Sequence, residues 1–288
     1  VLRDGIDMHA HTAPALFRRP WDDMELAKIA REYRMRGMVL KDHDASTTAR
    51  AYYVGKEYRD VDAFGSIVLN RSVGGINPHV VEAAIHYGAK MVFFPSNHSK
   101  WHSEFFGISD YPQLGRPQTQ LPGPGVTVLG DDGKLTPEAL KVIDIVADAD
   151  VCLATGHLSL EEIRLVVDAA NERGAKRVVV THANWALCRL ELDVQRELIA
   201  KGAYLEYVAV SCVSPIFYEQ SPAELAEWIT DIGSDRLVLS SDLGQVAGPP
   251  HPEGIRELIA ALLDLGVPSD DLERMVKENP VHLLGISS

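Results

Sequence analysis

The stretch GIDMHAH, residues 5–11, is a short apolar run that ends in two histidines one residue apart. Residues i and i+2 of an extended chain face the same side, so the pattern predicts a strand with His9 and His11 pointing together. Seven similar runs follow at residues 37–43, 64–70, 90–97, 151–157, 177–182, 203–210 and 236–242. They are rich in Val, Ile and Phe and almost continuously apolar, as expected of parallel strands buried on both faces. Helical periodicity separates them. Ile163, Val166, Val167 and Ala170 share one helical face, and Ile255, Leu258, Ile259 and Leu262 share another. Ser159 with Glu162 reads as a capping box, and Ser221 before Pro222 as a helix start. Gly37, Gly88, Gly174, Gly202 and Gly266 are expected near helix ends, where a left-handed residue is wanted.

Eight strand–helix units in 288 residues predict an α/β fold, a single (β/α)8 barrel over residues 1–288. A doubly wound open sheet would call for a glycine-rich phosphate turn after the first strand. That strand ends in HAHT instead. The longest interruption, residues 98–134, follows the fourth strand and is rich in Pro and Gly. Its aromatic residues Trp101, Phe105, Phe106 and Tyr111 predict an ordered lid or pocket wall.

The composition, 46% hydrophobic and 24% charged, suits a globular chain with a large core. A formal net charge of −13 disfavours a nucleic-acid partner, because phosphate backbones need a clustered basic surface. No apolar run is long enough to span a membrane. The first residues read straight into a strand and show no signal peptide. Cys152, Cys188 and Cys212 have neither disulfide-framework nor zinc-ribbon spacing, so they read as reduced, buried residues of a cytoplasmic protein. The expected partner is a small molecule, with pairing into a homo-oligomer through helical faces left open.

Chemistry-bearing residues gather at the C-terminal ends of the runs, where barrel enzymes place their sites. Besides His9 and His11, Lys41 and His43 repeat the i, i+2 spacing on the second strand. His157 ends the fifth, His182 the sixth and Asp242 the eighth. Imidazoles with a carboxylate suit zinc, iron, manganese and similar divalent ions. A single histidine at a strand end is an ordinary structural residue; the joint pattern carries the inference. His79, His86 and His282 fall in helical segments and read as surface or packing residues. His251, after two prolines, reads as structural. His98, His102 and Glu104 lie on the long loop and carry less weight.

With this order of residues the chain resembles the amidohydrolase superfamily of metal-dependent barrel enzymes, as a divergent, short, cytosolic branch. The resemblance covers essentially the whole chain. It implies that His9 and His11 hold a first metal ion, and that His157 and His182 hold a second or orient substrate. It implies that Asp242 binds metal and takes a proton from the attacking water. Glu278-Asn279-Pro280, followed by Leu283-Leu284-Gly285, is similar to the family's C-terminal helix. One departure stands out. Binuclear relatives commonly end strand four with a carboxylated lysine or a glutamate, whereas this strand ends Pro95-Ser96-Asn97-His98. Lys41 or His98 is available as a substitute; Lys41 alternatively pairs with Asp7 or Asp242.

The resemblance implies a hydrolase that activates water on a centre of two divalent ions (Zn, Fe or Mn). The scissile bond would be an ester, amide, lactone or phosphoester of a fairly apolar small molecule. His182 would serve as ligand or as electrophilic partner of the substrate oxygen. Trp101, Phe105, Phe106, Phe217 and Tyr218 are the expected pocket residues. The same barrel also admits a non-haem di-iron monooxygenase acting on a bulky terpenoid-like molecule. A metal-dependent decarboxylase and a non-catalytic metal-binding barrel are further alternatives.

Overall fold

A computed structural model describes residues 1–107 and 123–287, so Tyr111 of the aromatic loop lies outside the described residues. Eight parallel strands pair in chain order. They are β1 (Ile6–His11), β2 (Gly37–Lys41), β3 (Asp62–Val68), β4 (Ala89–Phe93), β5 (Cys152–Ala154), β6 (Val178–Val180), β7 (Tyr204–Val208) and β8 (Leu237–Ser240). The main crossover helices are α1 (Asp23–Glu32), α2 (Thr48–Glu57), α3 (Pro78–His86), α5 (Pro137–Ala149), α6 (Leu160–Glu172), α7 (Leu192–Ala200), α8 (Pro222–Ile232) and α9 (His251–Asp264). This is the expected (β/α)8 barrel. The long interruption after β4 opens with a further helix, α4 (Lys100–Phe106).

Alternation sorts the side chains into two cores. Met38, Leu40, Val92, Leu153, Val180, Leu205 and Leu239 face the helices. Ile6, Met8, Val39, Val68, Met91, Phe93, Cys152, Ala154, Val179, Tyr204 and Val238, drawn from all eight strands, fill the barrel. The short C-terminal helix α10 (Asn279–Leu284) adds Leu283 and Leu284 to that interior cluster. Asn279 fastens it by donating to the carbonyls of Ser234 (3.0 Å) and Leu237 (2.6 Å). The Asn-Pro segment therefore plugs the barrel end opposite the strands' C-termini.

The anticipated caps form at Ser159–Glu162 and at Ser221 before Pro222. Gly88, Gly174, Gly202 and Gly266 adopt positive φ after helices, as expected. Gly37 does not, and this corrects the sequence reading. It is the first residue of β2, and a Cβ there would lie 2.1 Å from the carbonyl oxygen of Asp62. Its role is close strand approach, while the left-handed turn after α1 falls to Arg34 at φ 56°.

The seam between β1 and β8 is closed by side chains as well as backbone. The Asp242 N–H donates to the His9 carbonyl at 2.9 Å, and the His11 N–H to the Leu243 carbonyl at 3.1 Å. Buried Asp7 accepts from the backbone N–H groups of His9 (3.1 Å) and Ser241 (2.9 Å) and from the Ser241 hydroxyl (2.5 Å). These bonds tie the strand bearing His9 and His11 to the strand bearing Asp242. Asp7→Ala leaves two buried backbone N–H groups without their acceptor and the Ser241 hydroxyl with only the His9 carbonyl, 3.0 Å away. It is expected to lower folding stability by about 3 kcal/mol or more in urea denaturation. A loss below about 1 kcal/mol would show that the seam holds without this carboxylate.

Candidate metal centre

A register shift in β1 between Asp7 and Ala10 decides where the histidines point. Met8 already belongs to the barrel interior, and strict alternation would send His9 outward. The shift restarts the alternation, so His9 and His11 face inward while Ala10 joins the helix-facing core. On β2, Val39 and Lys41 share the inward face.

Above the apolar interior, imidazoles form a continuous chain. Ring centroids lie 4.7 Å apart for His43–His11, 5.3 Å for His11–His9, 4.9 Å for His9–His182, 4.9 Å for His182–His157 and 5.1 Å for His157–His102. Asp242 sits against the middle of it. Its Oδ1 is 3.1 Å from His9 Nε2 and 3.1 Å from His11 Nε2; its Oδ2 is 3.2 Å from His182 Nε2. Ligand atoms of His9, His182 and Asp242 all lie within 4.8 Å of one another. His182 and Asp242 both adopt left-handed backbone, φ 58° and 50°. Non-glycine residues rarely do so, and such strain is concentrated at functional sites. Neighbouring strands hold the conformation: the N–H after His182, that of Ala183, donates to the Glu206 carbonyl at 2.9 Å. Gly244 lets the following turn press onto β1, since a Cβ there would lie 2.1 Å from the His11 carbonyl oxygen.

Glu206 was not foreseen from the sequence. It lies on β7, inward like Tyr204, and both carboxylate oxygens approach His9 Nδ1, at 3.2 and 3.1 Å. The carboxylate accepts a hydrogen bond from Nδ1–H, which leaves Nε2 as the His9 nitrogen that carries the lone pair. His102, underweighted on the loop, is buried on α4 with its Nδ1 2.9 Å from His157 Nδ1. His43 Nδ1 is 2.8 Å from the Ser96 hydroxyl.

Charge follows burial and neighbours. Burial, then Arg19, pushes His11 well below the usual imidazole range. Burial also lowers His43, His157 and His182. Neutral imidazoles are what metal coordination requires. Burial opposes ionisation of Asp242, yet His9 and His182 override it and hold the carboxyl well below its normal range. Lys41 is buried, and its amine is lowered to about 8, against the pull of Asp242 and Glu206. Burial and Lys41 lower His9, but Asp242 and Glu206 outweigh them and raise it. Lys41 Nζ lies 2.7 Å from His9 Nε2, so a single proton lies between the two nitrogens.

These residues fit a divalent ion. Both ring nitrogens of His182 are buried with no hydrogen-bond partner, although Nε2 lies 3.2 Å from Asp242 Oδ2. Close approach without hydrogen-bond geometry is what two ligands of one cation show, each lone pair aimed at a common point. Neutral imidazoles and a carboxylate form a donor set suited to zinc, manganese or iron.

A small cavity of about 20 Å³ opens on the centre. Of the residues anticipated from sequence, His11, Lys41, His43, His157, His182, Asp242 and Phe217 line it, with His9 buried beneath. Arg19, Trp185, Val210 and Gln245 complete the lining and were not anticipated. His98 is buried outside it, its Nδ1 accepting the Arg71 backbone N–H at 3.2 Å. Trp101 and Phe106 pack behind the wall against the cluster of Phe17, Trp185 and Phe217. Phe105 and Tyr218 are exposed, and Glu104 is an exposed partner of Lys100. Lys41 touches neither Asp7 nor Asp242 directly but His9. His79, His86 and His282 are exposed, while His251 donates from Nε2 to the His11 carbonyl at 3.0 Å. The three cysteines are free and buried.

Residues 4–206 match the model of DUF6282, a family of unknown function. The chain belongs to that family. The DUF6282 match takes in every site residue named on β1 to β7 and stops before Asp242. No curated protein matches the sequence. Among solved structures, an organophosphorus hydrolase from Deinococcus radiodurans is similar at 14% identity and TM-score 0.63, covering 98% of this chain and 92% of that one. An amidohydrolase from Pseudomonas aeruginosa is similar at 12% identity and TM-score 0.61, covering 98% of this chain and 96% of that one. A probable dipeptidase from the same organism is similar at 12% identity and TM-score 0.61, covering 98% and 94%. At this identity the likeness concerns the fold alone. Among the described residues, no helix is long and apolar enough to cross a membrane.

Proposed function

We propose that this member of DUF6282 is a metal-dependent hydrolase of small molecules, with His9, His11, His182 and Asp242 as the ion-binding set. The observation that carries this reading is the convergence of three imidazole Nε2 atoms on the Asp242 carboxylate, 3.1–3.2 Å away. Its fold-mates described as organophosphorus hydrolase, amidohydrolase and probable dipeptidase make phosphoester, ester and amide bonds the first to try. A bound divalent ion would lower the pKa of water towards neutrality and polarise the scissile carbonyl or phosphoryl oxygen. The chain supplies the rest. Asp242, held as a carboxylate, accepts the proton released by the attacking water and returns it to the leaving group. Glu206 fixes the His9 tautomer. His157, with His102 at its back, and His43, held by Ser96, face the cavity as further ligands for a second ion or as partners of the substrate oxygen. Trp185, Val210 and Phe217 supply apolar lining, and Arg19 and Lys41 supply cationic lining. That division suits a substrate whose reacting end is polar and whose body is apolar. Reduced, buried cysteines fit action in the cytoplasm.

Two imidazoles with one carboxylate, the set formed by His9, His182 and Asp242, are also ligands of non-haem iron sites, which keeps oxygen activation as the second reading. The two are separated by assaying an ester, a lactone, an amide and a phosphotriester without oxygen. Turnover that is lost on chelation and regained with zinc or manganese is expected. Two irons per chain, with turnover only in the presence of oxygen and reductant, would replace hydrolysis by the second reading.

A further inference from the structure

The contact between Lys41 and His9 bears on how an ion enters the centre. His9 has one imidazole nitrogen engaged by Glu206, with oxygens at 3.1 and 3.2 Å from Nδ1. The other, Nε2, offers a single in-plane lone pair. Lys41 Nζ lies 2.7 Å from it. Metal–imidazole bonds are about 2.0–2.1 Å long and use that same lone pair. An ion on His9 would therefore overlap the Lys41 amine, and the two contacts exclude each other.

Lys41 is firmly held there. It ends β2 rather than sitting on a loop, is 1% exposed, and its Nζ stands 4.5 Å from the Phe93 ring centroid. The ammonium–aromatic contact favours the amine in this position. Lys41 also lines the cavity, so side-chain rotation into that space is the route by which the amine would leave His9.

We propose that Lys41 is a built-in competitor for His9: the divalent ion binds by displacing the lysine amine, and Lys41 is neither a ligand nor a bridge. This rests on the reading of His9, His182 and Asp242 as the ion site. It assigns Lys41 an effect on metal affinity opposite in sign to that of a ligand. Removing a ligand weakens binding; removing a competitor strengthens it.

The test is Lys41→Met, which keeps an unbranched stem against Phe93 and lacks the amine. Zinc and manganese affinities of wild type and variant are measured by competition with a chromophoric chelator, and ions per chain by elemental analysis. The variant is expected to bind at least about tenfold more tightly with the same number of ions per chain. Weaker binding, unchanged affinity or loss of an ion equivalent overturns the proposal, and the last restores Lys41 as a bridging group. If neither protein binds ions, the reading of the centre itself fails, and this proposal with it. Lys41→Gln is measured in parallel, with circular dichroism of both variants. It keeps a polar but uncharged end should the methionine variant fail to fold, and tighter binding than wild type is required of it too.

Discussion

Asp242→Asn is expected to lose hydrolytic activity by about a thousandfold or more and to weaken ion binding. Two effects combine in one residue. Its carboxylate oxygens lie 3.1–3.2 Å from His9, His11 and His182, so it is the common neighbour of the imidazole donors. Among the described residues it is also the one carboxylate lining the cavity, and so the group placed to take a proton from water there. An amide keeps the size but neither the charge nor the basicity. The backbone tolerates the change, because asparagine accepts the left-handed conformation, φ 50°, that Asp242 already adopts. Folding is therefore expected to survive, and steady-state kinetics with metal titration reads the site alone. Activity within tenfold of wild type would remove Asp242 from the chemistry.

Glu206→Leu is the second large effect: a drop in ion affinity of about 10–100-fold, read by chelator competition. Glu206 does not line the cavity and acts through His9. Its loss frees the imidazole to exchange tautomers and leaves Nδ1 without an acceptor in a fully buried setting. Glu206→Gln retains an acceptor for Nδ1 and is expected to recover part of the affinity. Recovery by the conservative variant distinguishes positioning of His9 from a general loss of packing, which both substitutions would share. If both variants bind ions as wild type does, His9 needs no orientation from β7.

The barrel was legible because its strands are short apolar runs between amphipathic helices, a local pattern that survives without tertiary knowledge. The order of histidines and aspartate was legible for the same reason, since these polar residues end otherwise apolar strands. Glu206 escaped because it lies within a strand rather than at its end. The available signal was parity: Tyr204 and Glu206 share the inward face, and a charge in that position must be paired. His102 escaped because nothing local marks the side of α4 that meets His157. Phe105 and Tyr218 show the converse, aromatic residues whose composition suggested a pocket but whose side chains face outward. Gly37 looked like a helix stop because close strand approach and a left-handed turn both select glycine, and only the distance to Asp62 separates them. The shift in β1 was unreadable as well. Strict alternation correctly paired His9 with His11, yet with Met8 inside the barrel it would have turned both outward.

The central claim is that His9, His11, His182 and Asp242 form an ion site. Elemental analysis of protein purified from culture supplemented with zinc, manganese and iron tests it most directly, with His182→Ala run beside the wild type. At least one divalent ion per wild-type chain, lost or strongly depleted in the folded variant, is the predicted result. Wild-type protein without bound metal, or a variant that retains the full complement, would contradict it.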